Sequence, residues 1–223
     1  MNKLNYARIT VALLPLGLIP RGGFHPLAED GVPARRDGGA VATVVLVGNA
    51  GPDLWQRFKE HAAGAHALDE WCRAVLTPLA QSLDADILFP FDGPPHLPFL
   101  RWAQRAEGLT PSPIGPSIHP EYGLWHAYRG ALLFRHEMTL PPPLSIDPCD
   151  ACTDRPCLTA CPVAAFGAGT YDVPACASHL RQAAGRDCMD LGCRARRACP
   201  IGRNYHYQPA QARFHMTAFL RNY

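Results

Sequence analysis

Eight of the nine cysteines fall between Cys149 and Cys199. They read Cys149-x2-Cys152-x4-Cys157-x3-Cys161-Pro162 and then Cys176-x11-Cys188-x4-Cys193-x5-Cys199-Pro200, a stretched internal duplication in which each fourth cysteine precedes a proline. Soft thiolates in such density select iron–sulfur clusters, zinc or Cu(I) over hard cations. A four-iron cube needs thiolates at four tetrahedral corners. Closely spaced cysteines in a loop can wrap three of them, and the fourth must come from elsewhere in the chain. A proline after that distant cysteine ends the local helix and sets the chain direction. Two zinc sites of four cysteines each would also consume all eight, but such sites usually show paired C-x2-C knuckles, and only one C-x2-C is present. A disulfide framework is the other alternative, more usual in short exported domains.

The elements that must position these residues divide into three regions. Residues 1–140 mix strand and helix patterns. The β-branched run Ala40–Val47 predicts a buried strand, followed by a turn at Gly48–Pro52. Pro52 suits the first turn of a helix containing Trp55, Phe58 and His61. Apolar residues at helical spacing predict a helix over Leu68–Leu83. Asp86–Phe91 and Arg129–Phe134 read as strands, and Leu97–Ala106 as a short helix. Pro141–Pro143 form a stiff connector into the cysteine region, residues 147–203. A tail over 204–223 carries Phe214, Phe219 and Leu220 on a helix that docks back. The fold class expected is α+β: an α/β sheet domain followed by a small cysteine-bound domain.

Bulk properties narrow the function. The net charge of +2 over 223 residues gives no electrostatic case for DNA, RNA or a membrane surface. Lys3 and Arg8 precede a short apolar stretch, Ile9–Ile19, interrupted by Pro15 and Gly17. It is too short to span a bilayer and lacks an export cleavage site, so a first helix packed on the core and a cytoplasmic protein are expected. Cys72, beside Trp71, is expected to be a buried small hydrophobe. Gly48-Asn49-Ala50-Gly51-Pro52 lacks the lysine of a phosphate loop. Arg194, Arg196 and Arg197 form a small basic cluster, either a solvated face or a group suited to an acidic electron donor.

The first cysteine run resembles the bacterial ferredoxin run, with one gap lengthened from two residues to four. By that analogy one [4Fe–4S] cluster takes Cys149, Cys152, Cys157 and Cys199, and the other takes Cys161, Cys176, Cys188 and Cys193. The region as a whole, with Cys176-Ala-Ser-His-Leu between its halves and the closing Cys199-Pro200, resembles the dicluster domain of epoxyqueuosine reductases and reductive dehalogenases. Those families join two cubanes to a cobalamin held in a nitroreductase-like domain. Upstream, Ile118-His119-Pro120-Glu121-Tyr122-Gly123-Leu124-Trp125 continues to Arg129-Gly130. This run is similar to the I-H-P-x-[FY]-G-x-W-x-x-x-R-G run of cobalamin-C-type decyanases and dealkylases. Weaker similarity covers Leu14–Gly17, Thr43–Val47 and the stretch from Leu68 to Phe91.

The resemblance implies a nitroreductase-like domain that binds base-off cobalamin, followed by a bacterial-ferredoxin-like dicluster domain. It implies that His119, Pro120, Tyr122, Gly123 and Trp125 lie along a corrin pocket and that Arg129 points into the active cavity. Animal relatives hold glutathione with arginine and have no cysteine clusters, so Arg129 could instead pair with a corrin amide or phosphate. From local residues alone, His119 reads as a loop histidine bonded to backbone, the aromatics as core, and Arg129 as half of a surface ion pair. The function implied is a reductase fed by reduced ferredoxin or flavodoxin, removing cobalamin's upper ligand or reducing a substrate at cobalt. A ferredoxin-like electron carrier and a cobalamin chaperone are the alternatives. No nucleic-acid channel signature supports a tRNA substrate.

Overall fold

A computed structural model describes residues 5–62, 64, 66–167 and 169–223; Lys3 lies outside them. The chain divides into two compact units, Met1–Leu109 with Ala127–Ser145, and Thr110–His126 with Ile146–Tyr223. The sequence expectation put residues 110–126 with the N-terminal region and 204–223 in a separate tail. Both segments fold with the cysteines. No helix among the described residues is long and apolar enough to cross a membrane.

The first unit is a four-stranded sheet in the order β1-β2-β4-β3, built from β1 (Ile19–Phe24), β2 (Thr43–Ala50), β3 (Asp86–Leu88) and β4 (His126–Phe134). Strand β1 pairs antiparallel with β2, and β3 with β4. Alternation along β2 sends Val44 and Leu46 to one face and Val45 and Val47 to the other, and all four are buried. Val44 and Leu46 pack with Phe99, Trp102, Ala103 and Ala106 of α4 (Phe99–Glu107). On the opposite face α3 (Ala67–Ser82) buries Leu68, Cys72, Leu76 and Ala80, a stripe at four-residue spacing. Helices α1 (Tyr6–Leu13) and α2 (Asp53–Phe58) complete this unit.

Strand β1 is the element that sequence patterning missed. Three of its six residues, Pro20, Gly22 and Gly23, are of types depleted in strands, and the register slips between Pro20 and Gly23. The strand is anchored by a buried charge pair instead of by propensity. Arg21, 1% exposed, makes two hydrogen bonds of 2.8 Å to Glu107 at the end of α4. Tyr128 donates to the same carboxylate at 2.6 Å, and the Arg21 guanidinium lies 4.9 Å from the Tyr128 ring. Fork-to-fork geometry with a third donor satisfies the carboxylate in a place where an unpaired charge would be severely destabilising.

The second unit has little regular structure. Its helices are α5 (Pro156–Thr159), α6 (Val173–Leu180), α7 (Arg186–Leu191), α8 (Arg194–Ala198) and α9 (Pro209–Arg221). Two short ladders pair Thr110–Pro111 with Ser117–Ile118, and Phe166–Gly167 with Thr170–Tyr171. The core around the cysteines holds Ile114, Ile118, Leu124 and Ala195.

Glu107→Ala removes the carboxylate that pairs with the charged, buried Arg21 guanidinium. It should cost about 3–5 kcal/mol, whereas Tyr128→Phe should cost about 1 kcal/mol. Urea denaturation followed by circular dichroism measures both.

Candidate metal centres and the turn beside them

Two short helices distribute the cysteines. Cys157 lies within α5, and Cys161 follows its end. Cys193 and Cys199 cap opposite ends of α8, and α5 packs on α8. Each of these helices therefore carries one cysteine toward each of two cavities. The first cavity is lined by Cys149, Cys152, Cys157 and Cys199. The second is lined by Cys161, Cys176, Cys188 and Cys193. The grouping is crossed in sequence, since Cys199 joins the first three and Cys161 joins the last three.

Electrostatics follow the same division. Burial, then Asp147 and the neighbouring thiols of Cys199, Cys157 and Cys152, push the Cys149 thiol up to about 11. Cys176 and Cys193 are raised by burial and by thiols of their own group. Packed thiolates repel one another in a partly dry site, so the metal-free protein holds these groups protonated at neutral pH. Any metal loading must release protons. Against that, backbone amides face several sulfurs. Ile201 N–H faces Cys199, those of Ala195 and Arg196 face Cys193, and Ala165 N–H reaches Cys161 Sγ at 3.3 Å.

Both cavities contain a buried polar atom with no partner among the described residues: Ser112 Oγ in the first and His179 Nε2 in the second. An unsatisfied buried donor costs about 1–3 kcal/mol. Acceptors supplied by inorganic sulfide would satisfy both, which zinc would not, and the all-thiolate donor sets suit iron–sulfur clusters as they also suit zinc. The residues fit two four-iron clusters on these grounds. Among the described residues, no group of three or more His, Cys, Asp or Glu side chains is arranged to hold a single metal ion. Sequence reasoning missed Ser112; His179 was visible in Cys176-x2-His179, one helical turn from a cysteine.

The segment Ile118–His126 forms a tight turn against the first cavity's wall. His119 N–H donates to Gly123 O at 2.9 Å, and Gly123 N–H returns to His119 O at 2.8 Å. His119 Nδ1 accepts the amides of Glu121 and Tyr122 at 3.0 and 3.1 Å, which makes it a backbone-bonded turn histidine with its ring proton on Nε2. The ring stacks on Tyr122 at 4.0 Å. Gly123, at φ +57°, and Gly202, at φ +74°, lie where the turn meets the chain after Cys199-Pro200. A Cβ on Gly123 would collide with Ile201 O, and one on Gly202 with Tyr122 O. Trp125 is buried against Tyr207 and His206. His119, Gly123 and Trp125 thus perform structural work inside this unit, and only Pro120 and Tyr122 are half-exposed.

The arginine cluster is divided: Arg194 is exposed, while Arg196 and Arg197 are half-buried. Arg196 donates to Leu124 O and lies over Trp125 at 4.4 Å and Tyr207 at 4.6 Å. Arg194 and Arg197 both pair with Asp187.

Arg129 belongs to the first unit. Its Nε donates to Asn49 Oδ1 at 3.0 Å, and it makes no ion pair among the described residues. Asn49 is fully buried, with its Nδ2 unpartnered. These donors suit a carbonyl, amide or phosphate oxygen. Nearby, burial raises the Asp69 carboxyl and pushes the Cys72 thiol up to about 11, which leaves Cys72 an inert core residue.

No protein-family model matches the chain, and no curated protein does. Solved structures do. A B12-trafficking protein of C. elegans, CblC, a homologue of human MMACHC, superposes with a TM-score of 0.51 at 13% identity, covering 95% of this chain and 92% of that one. Epoxyqueuosine reductase from Bacillus subtilis gives 0.52 at 17% identity over 93% of this chain and 69% of the other. The Streptococcus thermophilus enzyme gives 0.53 at 16% identity over 91% and 67%. The chain shares its fold with both proteins. At these identities the likeness is one of fold alone.

Gly123→Ala imposes about 1–2 kcal/mol of backbone strain in addition to the collision. It should lower the iron retained by the protein while leaving the first unit's thermal transition in place. Iron assay and calorimetry test this.

Proposed function

We propose that this protein is an oxidoreductase that carries electrons through two [4Fe–4S] clusters to a base-off cobalamin, releasing its upper axial ligand or reducing a substrate at cobalt. The observation that carries this reading is the pair of four-cysteine cavities, each with an otherwise unpartnered polar atom. The crossed grouping coincides with the ligand sets that a ferredoxin-like arrangement requires. Cobalamin is supported by the shared fold with a B12-trafficking protein and by the His119–Arg129 run.

Cys149, Cys152, Cys157 and Cys199 would hold one cluster; Cys161, Cys176, Cys188 and Cys193 would hold the other. When bound, the clusters supply one-electron reduction, and cobalamin supplies the chemistry at cobalt. The chain's own residues bind and tune. Ser112 and the amides facing the sulfurs stabilise negative charge on them. Asn49 fixes the Arg129 guanidinium, whose terminal nitrogens would be free to donate to an oxygen acceptor of a cobalamin. Pro120 and Tyr122 are the half-exposed residues of the His119 turn, while His119 and Gly123 hold that turn in shape. A reduced ferredoxin or flavodoxin is the donor class suited to this role. Epoxyqueuosine reduction, the activity named for two structural neighbours, is the substrate-level variant of the same reading.

Anoxically reconstituted protein, given hydroxocobalamin and a strong reductant, should bind the corrin and lose its upper ligand, seen as a change in visible absorbance. Cys157→Ala should drop the iron from about eight per chain to about four and block that change while corrin uptake persists. Cys72→Ala should leave the iron unaltered. Eight irons without corrin uptake would instead identify an electron carrier, and uptake without ligand loss a cobalamin chaperone.

A further inference from the structure

The second cysteine group has polar neighbours that the first lacks. Cys176 and His179 are three residues apart on α6, so both side chains lie on the same face of that helix. His179 Nε2 is buried and partnerless, and the ring lines the cavity with Cys161, Cys176, Cys188 and Cys193. Tyr171, on the ladder that closes the same cavity, lines it together with Cys176. The Tyr171 ring is held in place by stacking on Phe166 at 4.8 Å and on Phe219 of α9 at 6.3 Å.

We propose that His179 and Tyr171 are positioning residues that donate N–H···S and O–H···S hydrogen bonds to the second cluster and hold its reduction potential above the value the cysteines alone would give. This rests on the iron–sulfur reading above. The acceptors in that cavity are thiolates and sulfides, which have no proton to donate. They therefore select the imidazole tautomer with hydrogen on Nε2. A cube with four thiolates carries −2, and reduction by one electron takes it to −3 without breaking a bond. The added charge spreads over the sulfurs, so a donor aimed at them bonds the reduced form more strongly and raises the potential. Tyr171 acts through Cys176, and His179 acts on whichever sulfur stands before it. In the first cavity the buried side-chain donor without a partner among the described residues is the Ser112 hydroxyl, so the two clusters are tuned by different groups.

The test is an EPR-monitored redox titration of anoxically reconstituted protein, in the full chain and in the Cys157→Ala background, where the second cluster stands alone. His179→Phe should shift the reduction equilibrium of that cluster about tenfold toward the oxidised form, about 59 mV for one electron, with iron content unchanged. His179→Gln, which retains an N–H, should recover part of the shift. Tyr171→Phe should move the same cluster in the same direction and leave the first untouched. Unchanged potentials in His179→Phe would overturn the proposal, as would equal shifts in both clusters. Loss of about four irons in His179→Phe would make the histidine a ligand and overturn it too. If the unaltered protein assembled no cubes, the underlying cluster reading would fall first, and this inference with it.

Discussion

Eight thiols crowded between Cys149 and Cys199 cannot be ionised together without cations. Burial and neighbouring thiols raise Cys149, Cys157, Cys176, Cys193 and Cys199, while the Ala165 amide already reaches the Cys161 sulfur. The second unit is arranged around this tension. It has few regular elements, and its two shortest helices, α5 and α8, spend their ends delivering cysteines. A metal cluster would supply the positive charge that the fold lacks and tie together segments that hydrophobic burial alone holds weakly.

The first unit solves a different problem. Its sheet carries a strand that propensity would not choose, fixed by Arg21, Glu107 and Tyr128 in a dry site. The network also fixes the end of α4, because Glu107 is that helix's last residue. Beside it, Asn49 orients Arg129, so one strand, β2, combines a packed core with a polar end suited to a ligand. The second unit turns its own motif to structural use. The run from His119 to Trp125 looks like a pocket signature in sequence, yet His119 and Gly123 are committed to the turn and Trp125 to packing on His206 and Tyr207.

Much of the first unit was legible in the sequence. The helices over Leu68–Leu83 and Leu97–Ala106 occur as Ala67–Ser82 and Phe99–Glu107 because their apolar stripes have a clear 3.6-residue period. The strand expected at Ala40–Val47 runs instead from Thr43 to Ala50. It takes in Gly48 and Asn49, which read as a turn but are held by close packing and by Arg129. The strand at Asp86–Phe91 stops at Leu88. Strand β1 was not legible, since its partner Glu107 is 86 residues away and no local pattern records the pair. At the site, the analogy with the ferredoxin run led to the same two groups of four cysteines that line the two cavities. Ser112 is remote from every cysteine in sequence, and the pairing of Arg194 and Arg197 with Asp187 was hidden inside what read as a uniform basic run.

The most direct measurement is the intact mass of the anoxically reconstituted protein under native conditions, with iron and acid-labile sulfide assayed on the same sample. The account predicts a mass increase equal to two four-iron, four-sulfide cores and a brown protein whose reduced form gives a cubane EPR signal. A mass increase of two zinc ions, or a mass decrease from cysteines joined in pairs, would contradict it.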